Sequence, residues 1–226
     1  MLASSSKKRT VVYIDGFNFY YGVKSLKLKE WRWLNVQSFF TNLLGIEHDV
    51  VKIKLFTAKV KPTDQDFAVR NRQSIYFQAL LASCPLLEIY YGHFLRNPVS
   101  MMSVKPPPKN VEVWKTEEKG TDVNLALHML NDAWLNFYDC AVVVSNDSDL
   151  AMALQLVKEQ NKKTVGLIAP GAGRKGRPLS KKLKQYASFI KPLRASLFKQ
   201  HQLPDVIPNS TICKPNSWYI NPEHVN

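Results

Sequence analysis

Four aspartates stand where acidic, oxygen-based chemistry would need them. Asp15 follows the apolar run Val11-Val12-Tyr13-Ile14. Asp122 opens a helical pattern after Gly120-Thr121, and Asp147 and Asp149 follow Ala141-Val142-Val143-Val144. Taken singly, Asp122 and Asp149 read as helix caps and Asp15-Gly16 as a tight turn, because short carboxylates accept backbone N–H groups at such positions. Taken together, three segments deliver carboxylates to the ends of strands or the starts of helices. Grouped carboxylates repel one another, and a hard divalent cation with oxygen ligands, Mg²⁺ or Mn²⁺, relieves that repulsion. The recurrence of the pattern, not any one aspartate, favours a metal site.

Such a site needs a frame that brings distant segments together. The run at residues 141–144 is apolar throughout, as expected of a strand buried on both faces of a parallel sheet. Strands are also expected at residues 11–14, 50–59, 86–91 and 163–169, with helices between them at 17–23, 35–44, 64–83, 150–157 and 180–186. A further helix starts at Gly120 or Thr121, with Val123, Leu127, Leu130 and Trp134 as its inward face. Residues 94–109 carry Asn97-Pro98, two methionines and three consecutive prolines, and read as a long basic loop before a short strand at 111–114. Alternating strands and helices specify an α/β fold, a three-layer α/β/α sandwich with a central, mainly parallel sheet. The aspartates meet if the first strand and the strand at 141–144 are neighbours where the sheet order reverses. A basic tail at residues 1–8, one domain over 9–196 and a C-terminal extension at 197–226 make up the expected organisation. From Pro204 the extension is rich in proline and asparagine and reads as a tail.

Composition narrows the partners. The chain of 226 residues has 31 Lys+Arg against 18 Asp+Glu, a net charge of +13 that favours a polyanion and makes nucleic acid the first candidate. No run approaches the ~18 uncharged apolar residues of a membrane-spanning helix, so no membrane partner is expected and a cytoplasmic location is. Cys84, Cys140 and Cys213 form no paired motif, and the five histidines have no zinc-ligand spacing. Gly171-Ala172-Gly173-Arg174-Lys175-Gly176 matches a dinucleotide fingerprint in letters only, because no acidic residue follows about 20 positions on.

At the three acidic segments the chain resembles the NYN domains, a PIN-like nuclease group that includes the LabA-type bacterial proteins. The matching stretches are Val12-Tyr13-Ile14-Asp15-Gly16-Phe17-Asn18, Glu118-Lys119-Gly120-Thr121-Asp122-Val123 and Val144-Ser145-Asn146-Asp147-Ser148-Asp149-Leu150. The resemblance covers about residues 9–192. It implies a PIN-like fold and a metal-dependent ribonuclease that leaves a 5′-phosphate and a 3′-hydroxyl. Asp15, Asp122, Asp147 and Asp149 become its catalytic, metal-binding set, with Asn18 as a polar orienter beside them. Asn146 departs from the pattern, since glycine is common there.

Substrate contacts are expected from Asn18, Lys119, Ser145 and Asn146 at the rim, and from Arg72, Arg174 and Lys175 along a basic path that continues through Lys181, Lys182 and Lys184. Tyr20, Tyr21, Trp31 and Trp33 are candidates for stacking on unpaired bases. The leading expectation is a Mg²⁺/Mn²⁺-dependent endoribonuclease acting on single-stranded or structured RNA. An RNA-binding regulator with a weak or partner-dependent site is the first alternative. A deoxyribonuclease or structure-specific nuclease is the second. The C-terminal extension is the candidate surface for a second copy of the chain or a protein partner.

Overall fold

β1 (Lys8–Asp15) lies at the centre of the molecule, buried on both faces from Val11 to Ile14. In the computed structural model, which describes residues 6–28, 31–62, 65–107, 109–173 and 178–219, it pairs in parallel with two strands. On one side lies β2 (His48–Thr57), followed by β3 (Leu87–Tyr91); on the other lie β6 (Cys140–Val144), β7 (Thr164–Ile168) and the short β8 (Phe189–Ile190). Every pairing in the order β3-β2-β1-β6-β7-β8 is parallel. The chain winds outward from β1 through β2 and β3, then returns to build β6 against the other edge of β1. The order therefore reverses between β1 and β6, the place where open α/β sheets bind ligands.

Side chains alternate along β1, so each face of the sheet seeds its own core. Val12 and Ile14 face α1 (Gly16–Ser25), α2 (Val36–Leu44) and α3 (Val69–Ser83), whose Val23, Phe39, Phe40 and Leu80 are buried against them. Val11 and Tyr13 face α4 (Thr121–Trp134), α5 (Ala151–Glu159) and α6 (Lys181–Tyr186) through Leu125, Met129, Leu154 and Leu183. The result is the expected three-layer α/β sandwich.

Three expectations are corrected by the structure. Residues 94–109 are not one long loop. β4 (His93–Met102) and β5 (Asn110–Lys119) form an exposed antiparallel ribbon, in register from His93↔Lys119 to Met102↔Asn110. Pro98 sits mid-strand opposite Trp114. That is tolerated because each strand of a two-stranded ribbon is an edge, with one side that needs no N–H donor.

The inward face of α4 is also different. Val123, Leu127 and Trp134 are 63, 60 and 72% exposed, whereas Leu125, Met129, Asp132 and Ala133 are buried. The buried stripe is the one that continues from Asp122 at helical spacing. It was hidden in the sequence by a charged member, Asp132, which receives the Lys54 ammonium at 2.7 Å and the Tyr13 hydroxyl at 2.6 Å.

Finally, residues 203–219 pack back on the core instead of trailing away. After α7 (Ala195–Gln200), Leu203 and Ile207 are buried, the Trp33 indole donates to the Pro204 carbonyl at 2.9 Å, and Trp218 lies edge-on to Trp33. Cys84, Cys140 and Cys213 are free thiols. Among the described residues no helix is long and apolar enough to cross a membrane.

Candidate active site

The site begins where β1 ends. Asp15 is the N-cap of α1, not merely a turn residue, and accepts the Asn18 N–H at 2.9 Å on one oxygen. Its other oxygen accepts the Ser145 hydroxyl, 2.8 Å away at the end of β6. Gly16 is small for a reason: a Cβ there would lie 2.7 Å from the Phe56 carbonyl oxygen, so α1 can start this close to β2 only with glycine. Only 4% of Asp15 remains exposed. Burial pushes its carboxyl pKa up, the two hydrogen bonds oppose that, and Asp147 raises it further.

Ser145 links the two strand ends. It is fully buried, donates to Asp15 and accepts the Asp147 N–H at 3.0 Å. Asp147 then caps a single turn of 3-10 helix (Ser148–Leu150) through the Asp149 N–H at 3.0 Å. The Asn18 side-chain oxygen accepts the Asn146 N–H at 3.2 Å, tying α1 to the same turn. Six residues read from sequence as site members, Asp15, Asn18, Ser145, Asn146, Asp147 and Asp149, thus form one hydrogen-bonded seam across the switch point.

Asp122 arrives from the other direction, in the first turn of α4. The chain passes from β5 into α4 at Gly120, whose φ of +96° is left-handed backbone that suits glycine. Glu118 secures the turn by accepting both the N–H (3.1 Å) and the hydroxyl (2.6 Å) of Thr121. Asp122 itself receives no hydrogen bond or ion pair among the described residues. Its pKa is pushed up to about 6, first by burial and then by the negative charges of Asp15, Asp147, Glu118 and Asp149. Asp122 thus lies within electrostatic reach of Asp15, Asp147 and Asp149, and Glu118 joins them. The sequence signal for Glu118 was its place three residues before Thr121, a capping spacing that conceals an electrostatic role.

The remaining predicted contacts fall in different places. Lys119 is at the rim but pairs with Glu117 on the ribbon at 3.3 Å. The Asn146 amide is occupied by the Pro178 carbonyl and the Ser180 N–H, both at 2.9 Å, so it anchors the segment before α6. Arg72 pairs with Asp66 and lines a cavity on the α3 side of the sheet. Arg174 and Lys175 lie outside the described residues. Of the stacking candidates, Trp33 is core, whereas Tyr20 and Tyr21 are exposed and line a cavity with Trp31. Among the described residues no group of three or more His, Cys, Asp or Glu side chains is placed to hold a metal ion.

Comparison with known proteins now bears on this arrangement. The family model of the NYN domain matches residues 9–193, which include every strand of the central sheet after its first residue and all four aspartates. The chain belongs to the NYN domain family. Within a curated set, this NYN protein is similar to 6-hydroxy-3-succinoylpyridine 3-monooxygenase HspA of Pseudomonas putida (strain DSM 28022 / S16). The two are 31% identical over 250 residues, covering 97% of this chain and 78% of that protein. Among solved structures it is similar to VPA0982, a protein of unknown function from Vibrio parahaemolyticus RIMD 2210633. That match has a TM-score of 0.54 at 16% identity, covers 86% of this chain and 97% of the other, and speaks to fold alone.

Proposed function

We propose that this NYN domain is a divalent-metal-dependent ribonuclease that hydrolyses RNA phosphodiester bonds at Asp15, Asp122, Asp147 and Asp149. The observation that carries the reading is the hydrogen-bonded seam from Asp15 through Ser145 to Asp147 and Asp149 across the β1/β6 switch point, in a protein with net charge +13. Their donor atoms are all oxygens, which suits Mg²⁺ or Mn²⁺ and not the nitrogen and sulfur preference of zinc. Mg²⁺ commonly takes one or two carboxylates and keeps its waters, so an open set of acids, not a closed cage, is the arrangement it asks for. Asp15 and Asp147 would hold it directly, and Asp122 and Asp149 through water or at a second ion. When bound, such an ion lowers the pKa of a coordinated water and offsets charge on a scissile phosphate.

The chain's own residues do the rest. Ser145 and the Asn18 N–H fix both oxygens of Asp15, so that carboxylate is preorganised. The like charges around Asp122, which with burial raise its pKa to about 6, are what a bound cation would offset. Glu118 and Gly120 set where Asp122 enters.

The test is cleavage of end-labelled single-stranded RNA in Mn²⁺, Mg²⁺ and EDTA, with a matched DNA strand alongside. Wild type should cut RNA only with metal, and Asp147→Asn should lower the rate by about a hundredfold or more. Undiminished cleavage by the variant would remove the proposal. RNA bound in EDTA but uncut in metal would select the RNA-binding alternative, and equal cutting of DNA the broader nuclease.

A second reading is favoured by the Pseudomonas relative, a protein named as a 3-monooxygenase of 6-hydroxy-3-succinoylpyridine. On that reading the chain hydroxylates a small aromatic acid with O₂ and a two-electron reductant. Oxygen uptake matched by ring hydroxylation, in the same preparations, would establish it.

A further inference from the structure

The carboxylate chemistry leaves unused a cavity of about 540 Å³ on the side of the sheet covered by α1 and α3. That volume lies in the range of small-ligand sites and far above a packing defect. Gly16 and Phe17, next to Asp15 in the chain, line it, so it adjoins the α1 N-terminus from the face opposite Asp122.

Its walls have two chemical characters. Tyr20, Tyr21 and Trp31 form an aromatic group, Tyr20 standing edge-on to Trp31 at 5.1 Å and to Tyr21 at 5.2 Å between ring centres. Edge-on rings leave faces and edges for a further planar ring to pack against. The second character is positive. Lys24 lies over the Tyr20 ring at 5.9 Å and Arg32 over the Trp31 ring at 5.0 Å. Among the described residues neither has a carboxylate partner, whereas the third cation of the wall, Arg72, is neutralised by Asp66. A purely apolar ligand would satisfy the rings and leave two charges facing it unanswered. A simple anion would answer the charges and leave the aromatic wall wet.

We propose that this cavity binds one planar heteroaromatic ring bearing an anionic group, the ring against Tyr20, Tyr21 and Trp31 and the anion toward Lys24 and Arg32. The two sources of that chemistry are a nucleotide within a strand and a free aromatic acid. The site acts independently of metal at the carboxylates, so its test is run without metal and stands whether or not the chain cleaves RNA.

The experiment is calorimetric titration of the full chain in EDTA with uridine 5′-monophosphate, adenosine 5′-monophosphate and pyridine-3-carboxylate. Ribose 5-phosphate and adenosine supply the anion without the ring and the ring without the anion. At least one ring-bearing anion should bind, about tenfold or more tighter than either half. Trp31→Ala and the double variant Lys24→Gln/Arg32→Gln should each weaken it about tenfold or more. Tyr21→Ala, at an exposed position, replaces Trp31→Ala if that protein does not fold. Binding of the nucleotides alone assigns the site to a strand; binding of pyridine-3-carboxylate alone assigns it to a free acid. No binding by any ring-bearing anion, or binding unchanged in the variants, overturns the proposal.

Discussion

Asp122 is partly buried, unpaired among the described residues and surrounded by like charge, and its pKa rises accordingly. Its folded pKa of about 6 stands above the ordinary 3.8, so between these values the folded chain binds more protons than the unfolded one. Stability therefore falls as pH rises through that window, and above about pH 6 the charged Asp122 is a net cost. At full value the rise corresponds to about 3 kcal/mol. Because the side chain is only partly buried and solvent screens its charge, about 1 kcal/mol is the expected effect. Asp122→Asn should accordingly melt higher than wild type in metal-free buffer at pH 8, with the difference gone by pH 4. A gain of equal size at both pH values would show that charge is not its cause. Asp15 and Asp147 combine two roles that sequence could not separate: each caps a helical turn, and each adds its charge to the cluster. The sequence offered Asp15 as turn or ligand and named no cap at Asp147, whereas a carboxylate has two oxygens and can serve both ends.

α4 carries Asp122, so whatever holds that helix to the sheet sets the site. Lys54 of β2, Tyr13 of β1 and Asp132 of α4 meet in the core, with the ion pair almost fully buried. A buried pair contributes little over an apolar substitute, but removing one partner strands the other charge. Asp132→Ala should therefore lose about 3–5 kcal/mol in denaturant unfolding, and Lys54→Met combined with Asp132→Leu should recover most of it. A small loss in the single variant would mean that Lys54 reaches water. At the start of α4, Gly120→Ala places a Cβ at φ +96° and should cost about 1 kcal/mol. Its effect on cleavage should exceed its effect on melting, because the strain is relieved by moving Asp122. Equal, small effects on both would detach the turn from the site. Sequence misjudged this helix because its true inward stripe includes a charge, and it missed the β4/β5 ribbon because Pro98 and an exposed surface erase the alternation that marks a half-buried strand. The apolar strands β1 and β6, buried on both faces, were legible from composition alone.

Across the whole molecule, a net charge of +13 surrounds one acidic focus. The excess attracts a polyanion at long range. The focus needs a cation before a phosphate can approach it. RNA binding in EDTA should thus be steeply salt-dependent, weakening about tenfold or more between 50 and 200 mM salt in a filter-binding assay. A flat response would mean that the basic excess is not what grips the strand. The adjacency of β1 and β6 was a condition stated from sequence and met only by the sheet order, since nothing local in either strand names its neighbour. The packing of Leu203, Ile207 and Trp218 was illegible for a related reason: isolated apolar residues among prolines carry no period, and their partner Trp33 lies far away in sequence.

The account turns on whether these aspartates together hold a divalent ion. Calorimetric titration of Mn²⁺ into wild type and Asp147→Asn at about pH 7.5 tests that without any substrate. Saturable binding in wild type, weakened about tenfold or more in a variant that melts like wild type without metal, is the predicted result. No binding by wild type, or the same isotherm for both proteins, would contradict it.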